Sequence, residues 1–108
     1  MKCDICGEEL IINLMPEFSA TAFWCNSCGV NYSNPNEDFP AIPSGLLSLI
    51  DGWVQLWDLL QDNTARINRE RFRELIINMG IELCRQINNY YLCNFDPEKT
   101  VFIDEETI

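Results

Sequence analysis

Histidine is absent from this chain of 108 residues, Lys and Arg together number 7, and there are only 5 glycines. Each shortage closes off a class of chemistry. Without histidine there is no Ser-His or Cys-His pairing to activate a nucleophile, and no side chain whose ordinary pKa lies near neutral pH in the imidazole range. The glycines, Gly7, Gly29, Gly45, Gly52 and Gly80, form no cluster of the kind that cradles phosphate. Seven basic residues stand against 17 Asp and Glu, a formal charge of −10. The excess is spread along the chain, because residues 1–40 hold Lys2 against six acids and residues 41–108 hold six basic residues against eleven. No basic domain is masked by an acidic tail, and a field of this sign repels phosphates, so no nucleic-acid partner is expected. A long hydrophobic run is also missing. The most apolar stretch, Leu46 to Leu60, is interrupted by Ser48, Asp51, Gly52, Gln55 and Asp58, which excludes a membrane span there. Met-Lys-Cys leads straight into the first motif without a leader, and the expected compartment is a reducing cytoplasm.

Cysteine is what the chain does have. Four of its six cysteines form two Cys-x-x-Cys-Gly knuckles, Cys3-Asp4-Ile5-Cys6-Gly7 and Cys25-Asn26-Ser27-Cys28-Gly29, separated by 18 residues. That spacing reads as a tetrahedral zinc site, with Cys3, Cys6, Cys25 and Cys28 as thiolate ligands. The glycine after each second cysteine removes a Cβ where the backbone folds back toward the metal. Four cysteines fill all four places, so the expected Zn2+ is structural. It would supply on the order of 10 kcal/mol of folding free energy to a segment too short to obtain it from apolar burial. Cys84 and Cys93 lie outside this pattern and are expected to be unligated, and Cys84, beside the apolar seam of a helix, reads as a small buried side chain.

Between the knuckles, Leu10 to Leu14 reads as a strand, Met15 to Phe18 as a turn and Ser19 to Trp24 as a returning strand, with a third short strand through Val30-Asn31-Tyr32. Two knuckles clamping one end of a small antiparallel hairpin resemble the zinc-ribbon family over residues 2–33. The resemblance implies a fold and those four ligands. It implies no activity, since such ribbons serve in transcription factors, ribosomal proteins, enzyme appendages and adaptors.

Residues 34–44 hold three prolines and read as a connector tied down by Phe39 and Ile42. A helix capped by Ser44 is expected over 45–61, with Ser48, Asp51, Gln55, Asp58 and Asp62 in one narrow polar stripe. Its apolar residues cover about two thirds of the cylinder, more than one neighbouring helix hides. Either the second helix and the ribbon each cover one side, or Trp53 and Trp57 belong to a surface that binds another protein or a second copy in a homodimer. A second helix is expected from between Thr64 and Asn68 to about Tyr91, with an apolar seam of Phe72, Leu75, Ile76, Met79, Leu83, Ile87 and Tyr90 and with Gly80 as a point of close approach. Residues 45–94 then form an antiparallel helical hairpin. Residues 95–108 hold a strand candidate at Lys99 to Asp104 and an acidic end. The expected fold class is α+β: a zinc ribbon over 1–33 packed on that hairpin.

No nucleophile–base pair or phosphate loop is present, and no enzyme is expected. The reading that follows is an acidic protein-binding module, of the type of a phage or bacterial inhibitor, immunity protein or nucleic-acid mimic. Glu8, Glu9, Asp51, Asp58, Asp104, Glu105 and Glu106 would meet a basic partner surface. The competing reading is a ribbon factor of a transcription complex that touches phosphates through Arg66, Arg69 and Arg73, which share a helix face but are interleaved with Glu70 and Glu74.

Overall fold

In the computed structural model, which describes residues 1–60 and 69–100, the chain is α+β, with a small three-stranded sheet and two main helices. Strands β1 (Ile12–Leu14) and β2 (Phe23–Cys25) pair antiparallel, Ile12 opposite Cys25 and Leu14 opposite Phe23. Alternation decides which face is buried: Ile12, Leu14, Phe23 and Cys25 point inward, while Asn13 and Trp24 are partly exposed. The Trp24 indole Nε1 donates to the Met15 carbonyl at 2.9 Å, which gives its polar end a partner at the rim.

The expected third strand at Val30 to Tyr32 does not form; Asn31 makes a single bridge to Trp24. Backbone bonds flank the bridge, the Tyr32 N–H donating to the Phe23 carbonyl and the Cys25 N–H to the Val30 carbonyl, both at 2.9 Å, and side chains add to them. Asn31 Nδ2 donates to the carbonyls of Thr21 and Phe23, both at 3.1 Å, and the Thr21 hydroxyl donates to the Tyr32 carbonyl at 2.6 Å. The third strand is β3 (Cys93–Asn94), which lies parallel to β1 and completes the order β2-β1-β3. The sequence pattern marks a strand candidate later, at Lys99 to Asp104. Instead Pro97–Lys99 is a 3-10 turn, opened by the Asp96 side chain accepting from the Glu98 N–H at 3.0 Å. Val101 to Asp104 lie outside the described residues.

The connector contains a one-turn helix, α1 (Pro35–Asp38), followed by Phe39. Phe39 is fully buried and Ile42 nearly so, as expected of a strap rather than a free linker. The Phe39 ring meets Phe23 at 5.4 Å, Tyr32 at 5.2 Å and Tyr91 at 5.2 Å, joining the sheet to the chain that follows the last helix.

Helices α2 (Ser44–Leu60) and α3 (Arg69–Ile87) pack together. Both tryptophans of α2 are core: Trp53 is 0% exposed and Trp57 2%. Trp53 Nε1 donates to the Ile76 carbonyl of α3 at 2.8 Å, and its ring lies edge-on to Phe95 at 5.7 Å. Trp57 packs on Phe18 of the β1–β2 connection at 4.8 Å. One tryptophan therefore faces the second helix and the other the hairpin, so neither is the exposed anchor that one reading of the sequence made of them. Gly80 is the expected close-approach point, since a Cβ there would fall 2.5 Å from the Phe95 ring. Of the expected α3 seam, Ile76, Leu83 and Ile87 are buried, but Leu75 and Tyr90 are exposed.

Candidate metal centre

The two knuckles are built alike. In the first, the Gly7 N–H donates to the Cys3 carbonyl at 2.9 Å and the Cys3 N–H to the Glu8 carbonyl at 2.8 Å. In the second, the Gly29 N–H donates to the Cys25 carbonyl at 2.9 Å and the Cys25 N–H to the Val30 carbonyl at 2.9 Å. Both glycines hold a left-handed backbone, with φ of 73° at Gly7 and 77° at Gly29, where the chain folds back as the motif implied. The bridge between Lys2 and Glu9 closes the first knuckle as that between Trp24 and Asn31 closes the second.

This duplicated backbone brings the sulfurs of Cys3, Cys6, Cys25 and Cys28 within 4.8 Å of one another. Cys3 and Cys28 are 3.8 Å apart and Cys6 and Cys25 3.9 Å. Four sulfurs each about 2.3 Å from one zinc in a tetrahedron have edges of about 3.8 Å. The donor set and its spacing therefore fit a tetrahedral thiolate-bound ion, and a coordination shell of four cysteines leaves no position for a substrate or water. Cys3 and Cys25 are buried, whereas Cys6 and Cys28 face the surface.

The sulfurs are not equivalent. The Tyr32 hydroxyl, buried, donates to Cys3 Sγ at 3.0 Å. That bond, followed by the Cys6 backbone N–H, lowers the Cys3 thiol from its ordinary 9.0 to about 6 despite its burial. At Cys6 the Glu8 N–H favours the thiolate, but burial and the neighbouring sulfurs outweigh it and push the thiol up to about 12. Cys28 is likewise raised: the Val30 N–H favours its thiolate, against burial and the sulfur of Cys25. Four thiolates this close repel one another, and a cation among them would offset that repulsion.

Cys84 and Cys93 lie away from this cluster and are buried. Asn88 clamps them, its Nδ2 donating to the carbonyls of Cys84 at 3.0 Å and Cys93 at 2.9 Å while its Oδ1 accepts from the Cys93 N–H at 2.9 Å. Burial pushes both thiols up.

The remaining candidate residues are dispersed. Glu8 and Glu9 are exposed beside the first knuckle, and Glu9 accepts from the terminal ammonium at 3.4 Å. Asp51 and Asp58 are exposed on α2. Asp104, Glu105, Glu106, Arg66 and the side chain of Arg69 lie outside the described residues, so of the arginine face only the exposed Arg73 is described. Two features escaped sequence reasoning. One is the Tyr32–Cys3 bond, for which a tyrosine four residues after a knuckle is a weak signal. The other is that the large apolar residues left exposed on α2 are leucines, Leu49 at 57% and Leu59 at 48%.

The chain matches no protein-family model, no curated protein and no solved structure. Among the described residues, no helix is long and apolar enough to cross a membrane.

Proposed function

We propose that the chain is a non-enzymatic, acidic protein-binding module. In this reading one structural Zn2+ on Cys3, Cys6, Cys25 and Cys28 staples a ribbon-like unit, which packs on an antiparallel helical hairpin. The module occupies a basic surface of a partner protein in the manner of an inhibitor, immunity protein or nucleic-acid mimic. The observation that carries it is the open face of α2. Leu59 stands exposed there with Ser48, Asp51, Gln55 and Asp58, and the helix contains no Lys or Arg. Gly52 lies beside Leu59 on the helix surface, and a Cβ on it would meet no atom of the described residues within 4 Å, so their packing does not call for a glycine there. A glycine costs an exposed helix about 1 kcal/mol relative to alanine; close approach of a partner to this face would account for it. A saturated metal site and the absence of histidine support a binding role over catalysis.

The test is a pull-down from the native host, identification of the bound protein by mass spectrometry, and binding kinetics with two charge-reversed variants. Asp51→Lys with Asp58→Lys should slow association about tenfold and flatten its salt dependence. Glu37→Lys with Glu98→Lys, the same change in net charge on exposed positions elsewhere, should change it much less. Equal effects of the two pairs would reduce the acidity to a solubility device. Tight, salt-sensitive binding to an oligonucleotide, lost when Arg66, Arg69 and Arg73 become Ala, would replace this reading with that of a nucleic-acid-associated ribbon factor. Light scattering that shows a dimer dissociated by Leu59→Lys would identify the face as a self-interface.

A further inference from the structure

We infer that Tyr32 tunes the metal centre, its hydroxyl donating to the Cys3 thiolate and holding that sulfur as a weaker base and a slower-leaving ligand. The inference rests on the metal-binding reading of the four cysteines. The Tyr32 hydroxyl donates to Cys3 Sγ, 3.0 Å away, and a thiolate, having no proton of its own, can only accept. Tyr32 is 7% exposed and Cys3 2%, so water has little room to compete for either group.

The duplicated architecture makes the bond conspicuous. Tyr32 stands four residues after Cys28, and the equivalent place four residues after Cys6 is held by Leu10, which has no donor. The N–H of Glu8 favours the thiolate of Cys6, that of Val30 the thiolate of Cys28, and those of Cys6 and Ile5 the thiolate of Cys3. Among the described residues, Cys3 is the one member of the cluster that also accepts from a side-chain hydroxyl. The tyrosine is held there by packing, since its ring lies 5.2 Å from Phe39. A metal-bound thiolate that accepts a strong hydrogen bond places less charge on the metal and is attacked less readily by acid or electrophiles. Cys3 is thus the fixed end of the centre, and exchange begins at Cys6 and Cys28, the two sulfurs that face the surface.

The experiment compares wild type, Tyr32→Phe and Phe39→Leu for Zn2+ affinity by chelator competition and for the thiolate-to-cobalt charge-transfer bands of the Co2+-substituted protein. Tyr32→Phe keeps the ring and removes the donor. It should weaken Zn2+ binding about tenfold and move the charge-transfer bands to lower energy. Phe39→Leu loosens the packing but keeps the hydroxyl, and should lower stability with the bands unmoved. In wild-type protein loaded with an NMR-active cadmium isotope, the Tyr32 hydroxyl proton should exchange slowly and show scalar coupling to the metal. A Tyr32→Phe variant indistinguishable from wild type in both affinity and band energy, or a hydroxyl proton in fast exchange without coupling, overturns the inference. Wild-type protein that binds neither Zn2+ nor Co2+ through sulfur instead overturns the metal site itself.

Discussion

Replacing Gly7 or Gly29 by alanine should destabilise the knuckle although neither position is crowded. A Cβ at either site meets no atom within 4 Å, so the cost is purely that of a left-handed backbone, about 1–2 kcal/mol per residue. Chemical denaturation of the metal-loaded protein measures it, and wild-type stability in both variants would remove the argument. At Gly80 the physics is different. Its backbone is not left-handed, and Gly80→Ala drives a methyl group into the Phe95 ring, which in turn lies on Trp53. Overpacking of that kind should cost about 1–3 kcal/mol, and trimming the ring with Phe95→Leu in the same chain should recover part of it. The knuckles were legible because all they require is written within five consecutive residues: two sulfurs at one spacing and a glycine at one φ. The Tyr32–Cys3 bond joins residues 29 apart through tertiary packing, and no local pattern announces it.

At the scale of elements, α2 is found within a residue of where the apolar periodicity placed it, because that signal repeats over many turns, whereas α3 ends at Ile87, a turn before the expected Tyr91, and its expected start lies outside the described residues. Strand β3 has two residues, too few to show an alternation, and its place at the sheet is held by Asn88, which binds the Cys93 backbone on both its polar groups. Periodicity also showed that α2 is apolar around most of its girth but not what covers each side. The tryptophans are covered by α3 and the β1–β2 connection, and the residue left open is leucine. The element that returns to the sheet carries a pH dependence. In the fold, burial makes Cys93 hold its proton well past the ordinary thiol value of 9.0, whereas the unfolded chain releases it near that value. Above that pH the unfolded state binds fewer protons, so stability falls as pH rises, and below it the group contributes no slope. Denaturant midpoints measured on either side of pH 9.0 should show the fall, and Cys93→Ala, though less stable throughout, should reduce its slope. In the native protein Cys84 and Cys93 should resist alkylation at neutral pH, while unfolding exposes both.

At the scale of the whole molecule, the metal centre and the helices are not independent. Cys3 touches Tyr32, Tyr32 packs on Phe39, and Phe39 packs on Tyr91, whose hydroxyl oxygen accepts from the Ala41 N–H at 3.2 Å. Metal removal by a chelator should therefore loosen the contact between sheet and helices as well as the knuckles. It should appear as faster hydrogen exchange at Phe39 and Ile42 in addition to residues 2–33. The most direct test of the account is the metal content and thiol state of freshly purified protein, by native mass spectrometry with elemental analysis. The account predicts one zinc per chain, lost on Cys→Ser substitution at position 3, 6, 25 or 28 and retained on substitution of Cys84 or Cys93. Protein without metal, or with the four knuckle sulfurs joined in disulfides, would contradict it.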